Sequence, residues 1–259
     1  MDPLVSQEWL REHLADPGMR VVDCRYVLGA PGAGREAFLA GHIAGAAFLD
    51  LDTDLADPVV DGRNGRHPLP SRERFQAAAR RAGISGDSIV VAYDEHMTGG
   101  AARLWWLLRH FGHEAVAVLE GGFDAWTGGV VDGEEVVAGG TFVARLRSDD
   151  AVDVADVAAR LKFPDRVLVD ARASERFRGD VEPIDPVPGR IPGARNVPYM
   201  EDLPGDLVAA DEEIVVYCGS GVTASVVLLR LAAAGRDDAK LYAGSYSEWV
   251  NRELPVERG

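Results

Sequence analysis

The 259-residue chain says much of itself twice. "RVVDCR" from Arg20 has a counterpart in "VLVDAR" from Val167, and "GHIAGA" from Gly41 has one in "GRIPGA" from Gly189. Further on, "SIVVAYDEHMTGGAARLWWLLRHFG" matches "EIVVYCGSGVTASVVLLRLAAAG", and "LEGGFDAW" matches "LYAGSYSEW". The four pairs keep the same order in both halves, so the chain is two copies of one unit. In each copy short β-branched apolar runs alternate with longer helical patterns, which predicts an α/β fold with a mostly parallel central sheet flanked by helices. "SIVVAY" and "EIVVY" are apolar almost without alternation, as strands covered on both faces must be. The glycine- and charge-rich stretch after Trp126 divides the copies. The reading is a first domain over 1–130, a linker over 131–148 and a second domain over 149–259.

The copies differ where chemistry would sit. Aligned on the tyrosines that end the two central strands, Tyr93 is followed by Asp94 and Tyr217 by Cys218. Chemistry therefore belongs to the second copy. A cysteine directly after a buried strand, before small residues and a helix, lies at the carboxyl edge of the sheet, where open α/β folds place their ligands. A helix beginning near Val222 or Thr223 turns its free N–H groups towards the sulfur and favours the thiolate. Gly219 and Gly221 let the backbone curl so that several amides converge on one anion, and Ser220 and Thr223 add hydroxyl donors. Cys24 ends a strand with no such loop and reads as structural.

Composition limits the partners. With 42 acidic against 27 basic residues and a formal charge of -15, most of the surface repels a nucleic-acid backbone or an anionic membrane. A small anion is still admissible where arginines and amides cluster. There are two cysteines, no run of about eighteen apolar residues, and no signal-peptide pattern at the start, so the expectation is a reduced, cytoplasmic protein. The six histidines are scattered, with no cysteine pair and no metal-ligand spacing, and no cofactor is expected beyond covalent sulfur.

Three chemistries compete for the loop. "GSGVTA" fits the dinucleotide fingerprint G-x-G-x-x-A, but too little chain follows it for a full dinucleotide fold, and a tandem of short units is the wrong architecture. A cysteine phosphatase would need an arginine six residues after the cysteine, and position 224 is alanine. Sulfur transfer needs only a thiolate to attack a sulfane donor and a ring of amides to hold the persulfide.

"VVDCR", "VLVDAR", "GHIAGAAFLDLD", "GRIPGARNVPY", "YCGSGVTA" and "LYAGSYSEW" together resemble the tandem-domain rhodanese superfamily, over nearly the whole chain. The resemblance implies two rhodanese-like domains, an inactive first and a catalytic second, and a ping-pong cycle through a Cys218 persulfide. The donor would be a small sulfur-bearing anion, 3-mercaptopyruvate or thiosulfate, and the acceptor cyanide, a small thiol or a thioredoxin-type protein. The contrasting reading is a non-catalytic sulfur carrier or binding protein.

Within the superfamily the C-G-S-G-V-T loop is similar to the mercaptopyruvate branch, since the thiosulfate branch carries basic residues where Gly219 and Ser220 stand. The resemblance extends to "FLDLD" and "RHPLP", which assigns Asp52, His67 and Ser220 as a relay activating Cys218 or the donor thiol. It also places Arg176 as the donor-binding arginine, with the loop residues Gly219, Gly221, Val222 and Thr223 around the substrate. Arg178 reads as surface, and Asp170 with Arg172 as a structural pair. One departure stands out: the branch has a second arginine in a P-R-D setting where this chain has Ile184. Arg190 and Arg195 lie nearby in sequence as candidates to replace it.

Overall fold

The computed structural model describes residues 1–61, 63–161, 163 and 165–259. Its packing divides the chain into two units, Met1–Asp57 with Leu69–Arg147, and Pro58–Pro68 with Ser148–Gly259.

The first unit runs β1 (Leu4–Val5), α1 (Gln7–His13), β2 (Met19–Asp23), α2 (Ala33–Ala40), β3 (His42–Ile43), β4 (Ala47–Phe48), α3 (Arg72–Arg81), β5 (Ile89–Tyr93), α4 (Gly100–His110), β6 (Val116–Leu119) and β7 (Val130–Val131). The second runs β8 (Ala151–Val152), α5 (Val154–Ala159), β9 (Arg166–Asp170), α6 (Ser174–Arg178), β10 (Arg195–Asn196), α7 (Gly205–Val208), β11 (Glu213–Tyr217), α8 (Ala224–Ala233), β12 (Lys240–Tyr242) and α9 (Ser245–Asn251).

Each unit holds a five-stranded sheet in which every pairing is parallel, ordered β1-β6-β5-β2-β4 in the first and β10-β9-β11-β12-β8 in the second. Matching β2 to β9, β5 to β11 and β6 to β12, the two orders are the same, so the repeat in sequence is a repeat in topology. β5 and β11 are central and nearly fully buried, which is why neither alternates. The helices that follow them, α4 and α8, are buried on almost every face.

The correspondence reaches single bonds. In the first unit the Arg25 guanidinium grips Asp23 at 2.6 Å, donates to the Gly41 carbonyl and lies 4.1 Å from the Phe123 ring centre. In the second Arg172 grips Asp170 at 2.7 Å, donates to the Gly189 carbonyl and lies 3.9 Å from the ring centre of Tyr246. Ile43 and Ile191 donate their N–H groups to the hydroxyls of Tyr93 and Tyr217. These buried charges are paired and hydrogen-bonded, as burial requires.

Two segments depart from the sequence reading. Residues 131–147, read as linker, belong to the first unit: Phe142 is buried edge-on to Phe75, its N–H reaches the Ile84 carbonyl, and the Arg145 N–H reaches that of Phe111. Glycine and charge there hide a few apolar anchors that fasten the strand of chain. Residues 58–68, read with the first domain, belong to the second unit. Among the described residues no helix is long and apolar enough to cross a membrane.

Candidate active site

Cys218 follows the last residue of β11, at the carboxyl end of the second sheet's central strand, and is 2% exposed. Around it the backbone turns back on the sulfur: Sγ accepts the N–H of Gly221 at 3.1 Å and that of Ser220 at 3.5 Å. The curl needs Gly221, whose φ is +80° and whose absent Cβ would stand 2.5 Å from the Ala243 carbonyl oxygen. Val222 is buried, and Thr223 stands at the N-cap position of α8 without a side-chain capping bond. From the other side α9 fixes the loop. The Tyr246 and Ser247 N–H groups donate to the carbonyls of Cys218 and Gly219, and the Cys218 N–H donates to Ser245 Oγ at 3.1 Å.

The matching place in the first unit carries a different acceptor. Asp94 is 1% exposed, and its carboxylate accepts the N–H groups of Thr98, Gly99 and Ala101 at 2.9–3.1 Å. The Phe123 and Asp124 N–H groups hold the Asp94 and Glu95 carbonyls as Tyr246 and Ser247 hold the second loop. Burial pushes the Asp94 carboxyl up, and the amides work against it. One cradle is thus filled by a carboxylate of the chain itself, the other by a sulfur.

The segment 58–68 brings two side chains to the Cys218 loop. His67 Nδ1 lies 2.7 Å from Ser220 Oγ, and both residues are buried. Arg66 donates its backbone N–H to Ser247 Oγ, and its guanidinium reaches the loop: Nη2 would be 2.7 Å from a Cβ at Gly219. Arg176, at the end of α6, comes within 3.7 Å of the same point with both terminal nitrogens. Two cationic groups therefore face one side of the loop. Asp185 joins them, with Oδ1 on Arg66 Nη1 and Oδ2 on Arg176 Nη2 at 3.1 Å. Glu182 takes Arg172 at 3.1 Å and Arg176 at 2.7 Å. Burial would raise the Glu182 carboxyl, but Arg176 and the Asp185 and Ile184 amides hold it below its ordinary value.

Of the residues singled out in sequence, Ser220, His67, Arg176 and the loop glycines gather around Cys218. Asp52 lies in the first unit, exposed in a turn where its N–H donates to Asp50 Oδ1. Ile184 is 40% exposed and brings no charge. Neither sequence neighbour supplies the second arginine: Arg190 pairs with Glu257 over the Phe177 ring, and Arg195 pairs with Asp206. Arg178 pairs with Asp180 at the surface. The second guanidinium at the loop is Arg66, which directly precedes His67 in "GRHPLP" and which the sequence reading did not single out. Among the described residues no three His, Cys, Asp or Glu side chains gather as a metal site.

A buried sulfur in an amide cradle, repeated with a carboxylate in a sister unit of identical strand order, defines a tandem sulfur-handling α/β protein. The rhodanese-like domain model matches residues 6–128 and again 153–252, and the chain belongs to the rhodanese family. A Pseudomonas aeruginosa relative, provisionally named a 3-mercaptopyruvate sulfurtransferase, is 39% identical over 99% of this chain and 98% of its own. SseB of Mycobacterium tuberculosis, provisionally named a thiosulfate sulfurtransferase, is 40% identical over 94% of this chain and 92% of its own. SseA from Escherichia coli, solved as a 3-mercaptopyruvate sulfotransferase with the rhodanese fold, superposes with a TM-score of 0.81 at 34% identity, covering 95% of this chain and 99% of that one.

Proposed function

We propose that this chain takes sulfur from 3-mercaptopyruvate onto Cys218 and passes it to a thiophilic acceptor: cyanide, a small thiol or a thioredoxin-type protein. That it is a sulfurtransferase follows from its family and its full-length relatives. The observation that carries the donor assignment is the pair of guanidinium groups, Arg66 and Arg176, on the loop whose amides hold Sγ. Two planar cations suit a carboxylate beside a keto oxygen.

The thiolate of Cys218 attacks the donor sulfur, and the carbon–sulfur bond breaks with its electron pair passing to carbon. The 2-oxo group accepts that pair as an enolate, which takes up the thiol proton to become pyruvate. Cys218 keeps the sulfur as a persulfide whose terminal sulfur the loop amides can hold. Ser220 and His67, in contact at 2.7 Å, are the pair to move the proton. Asp94, in the matching cradle, offers no thiol, so the persulfide forms in the second unit. Both cysteines are free, in keeping with a reducing cytoplasm.

Thiosulfate is the second reading, favoured by the name of the mycobacterial relative. Its sulfur–sulfur bond breaks to release sulfite with the electron pair, a step that needs no proton relay. Steady-state transfer to cyanide from each donor decides between them. The expected outcome is a kcat/KM for 3-mercaptopyruvate about tenfold or more above that for thiosulfate, both abolished in Cys218→Ser. A preference for thiosulfate would reverse the donor assignment, and activity surviving in Cys218→Ser would remove Cys218 as the carrier.

A further inference from the structure

Among the described residues, Asp185 is the carboxylate that bridges the two donor-facing guanidinium groups, and the sulfur chemistry gives it no task. Its side chain is 2% exposed, and each carboxylate oxygen takes one arginine, Arg66 or Arg176. Glu182 shares Arg176, with Oε1 2.7 Å from the same Nη2, lies 3.1 Å from Arg172, and fixes the turn by accepting the Ile184 and Asp185 N–H groups at 3.1 Å. Arg66 keeps a buried Nε with no hydrogen-bond partner among the described residues. Beside Gly219, then, the two guanidinium groups meet the buried carboxylate of Asp185, which solvent barely screens.

We propose that Asp185 selects the donor by its charge. With the donor reading above as its basis, the buried Asp185 carboxylate offsets part of the charge of Arg66 and Arg176, which leaves the site matched to a monoanionic 2-oxo acid thiol and poorly matched to the dianion thiosulfate. Repulsion from Asp185 acts on both donors, and Coulomb's law makes it twice as large for the dianion. The preference is then a property of the acid that follows Ile184 as well as of the loop that follows Cys218.

The test is KM and kcat for both donors, with cyanide as acceptor, in the wild type, Asp185→Asn, the smaller neutral Asp185→Ser, and Asp185→Glu. Both neutral variants should lower KM by about threefold for 3-mercaptopyruvate and by about tenfold for thiosulfate, the second factor being near the square of the first. Asp185→Glu should restore the wild-type ratio, and kcat should move little. Competitive inhibition by sulfate and by pyruvate gives the same comparison without turnover, and sulfate should gain more in the neutral variants. An equal change for both donors, or a rise in KM for both that Asp185→Glu repairs, would make Asp185 a mere support for the arginines and overturn the proposal. The wild-type ratio of the two kcat/KM values judges the donor reading; the change in that ratio judges Asp185.

Discussion

Gly221 is the residue on which the cradle turns. Its N–H is 3.1 Å from Sγ because its φ of +80° swings that amide inward, and the space a Cβ would need is held by the Ala243 carbonyl. Gly221→Ala should therefore cost about 1–3 kcal/mol of stability and at least about tenfold in sulfur transfer, read by thermal melting and the cyanide assay. Cys218 and its glycines were legible in sequence because strand, small residues and helix follow one another directly. Arg66 was not, although it is next to His67. Nothing local distinguishes a loop arginine that pairs with solvent from one that pairs with a buried aspartate more than a hundred residues away.

At the scale of elements, the segment 58–68 fastens onto the turn before α9. Gly65, with φ +79°, lies so close there that a Cβ would stand 2.7 Å from the Gly244 carbonyl oxygen. Gly65→Ala should push Arg66 and His67 off the loop. The expected result is a donor KM raised by about tenfold with little change in melting temperature, since few core groups move. A second element-scale device ties the strands at their other ends. The Glu213 carboxylate on β11 takes Arg166 of β9 at 2.6 Å and Lys240 of β12 at 2.8 Å. Burial alone would raise this carboxyl from its ordinary 4.5, but the two cations hold it at about 2. Because the folded value lies below the unfolded one, its stabilisation is complete above pH 4.5 and fades as pH falls towards 2. Glu213→Gln should remove about 1 kcal/mol at neutral pH, allowing for solvent screening, and flatten that part of the acid unfolding curve, measured by denaturant titration at several pH values.

At the scale of the whole molecule, one scaffold is used twice, with a carboxylate in one cradle and a sulfur in the other. Asp94→Ala would leave three buried amides without the carboxylate they serve, at a cost of about 2–4 kcal/mol, while sulfur transfer per folded molecule should stay within about twofold of wild type. A loss of turnover in folded protein would give the first unit a part in the chemistry. The sequence by itself determined the two copies, their parallel sheets and which copy holds the sulfur. Those features follow from the order of apolar runs and turn residues and from one aspartate standing where its counterpart is cysteine, all of it local. Only the tertiary structure decided that 58–68 joins the second unit, that residues 131–147 pack on the first, and that Arg66 reaches the Cys218 loop and pairs with the buried Asp185. Those outcomes rest on burial and charge pairing between segments far apart in the chain, and such energies have no period or spacing to read.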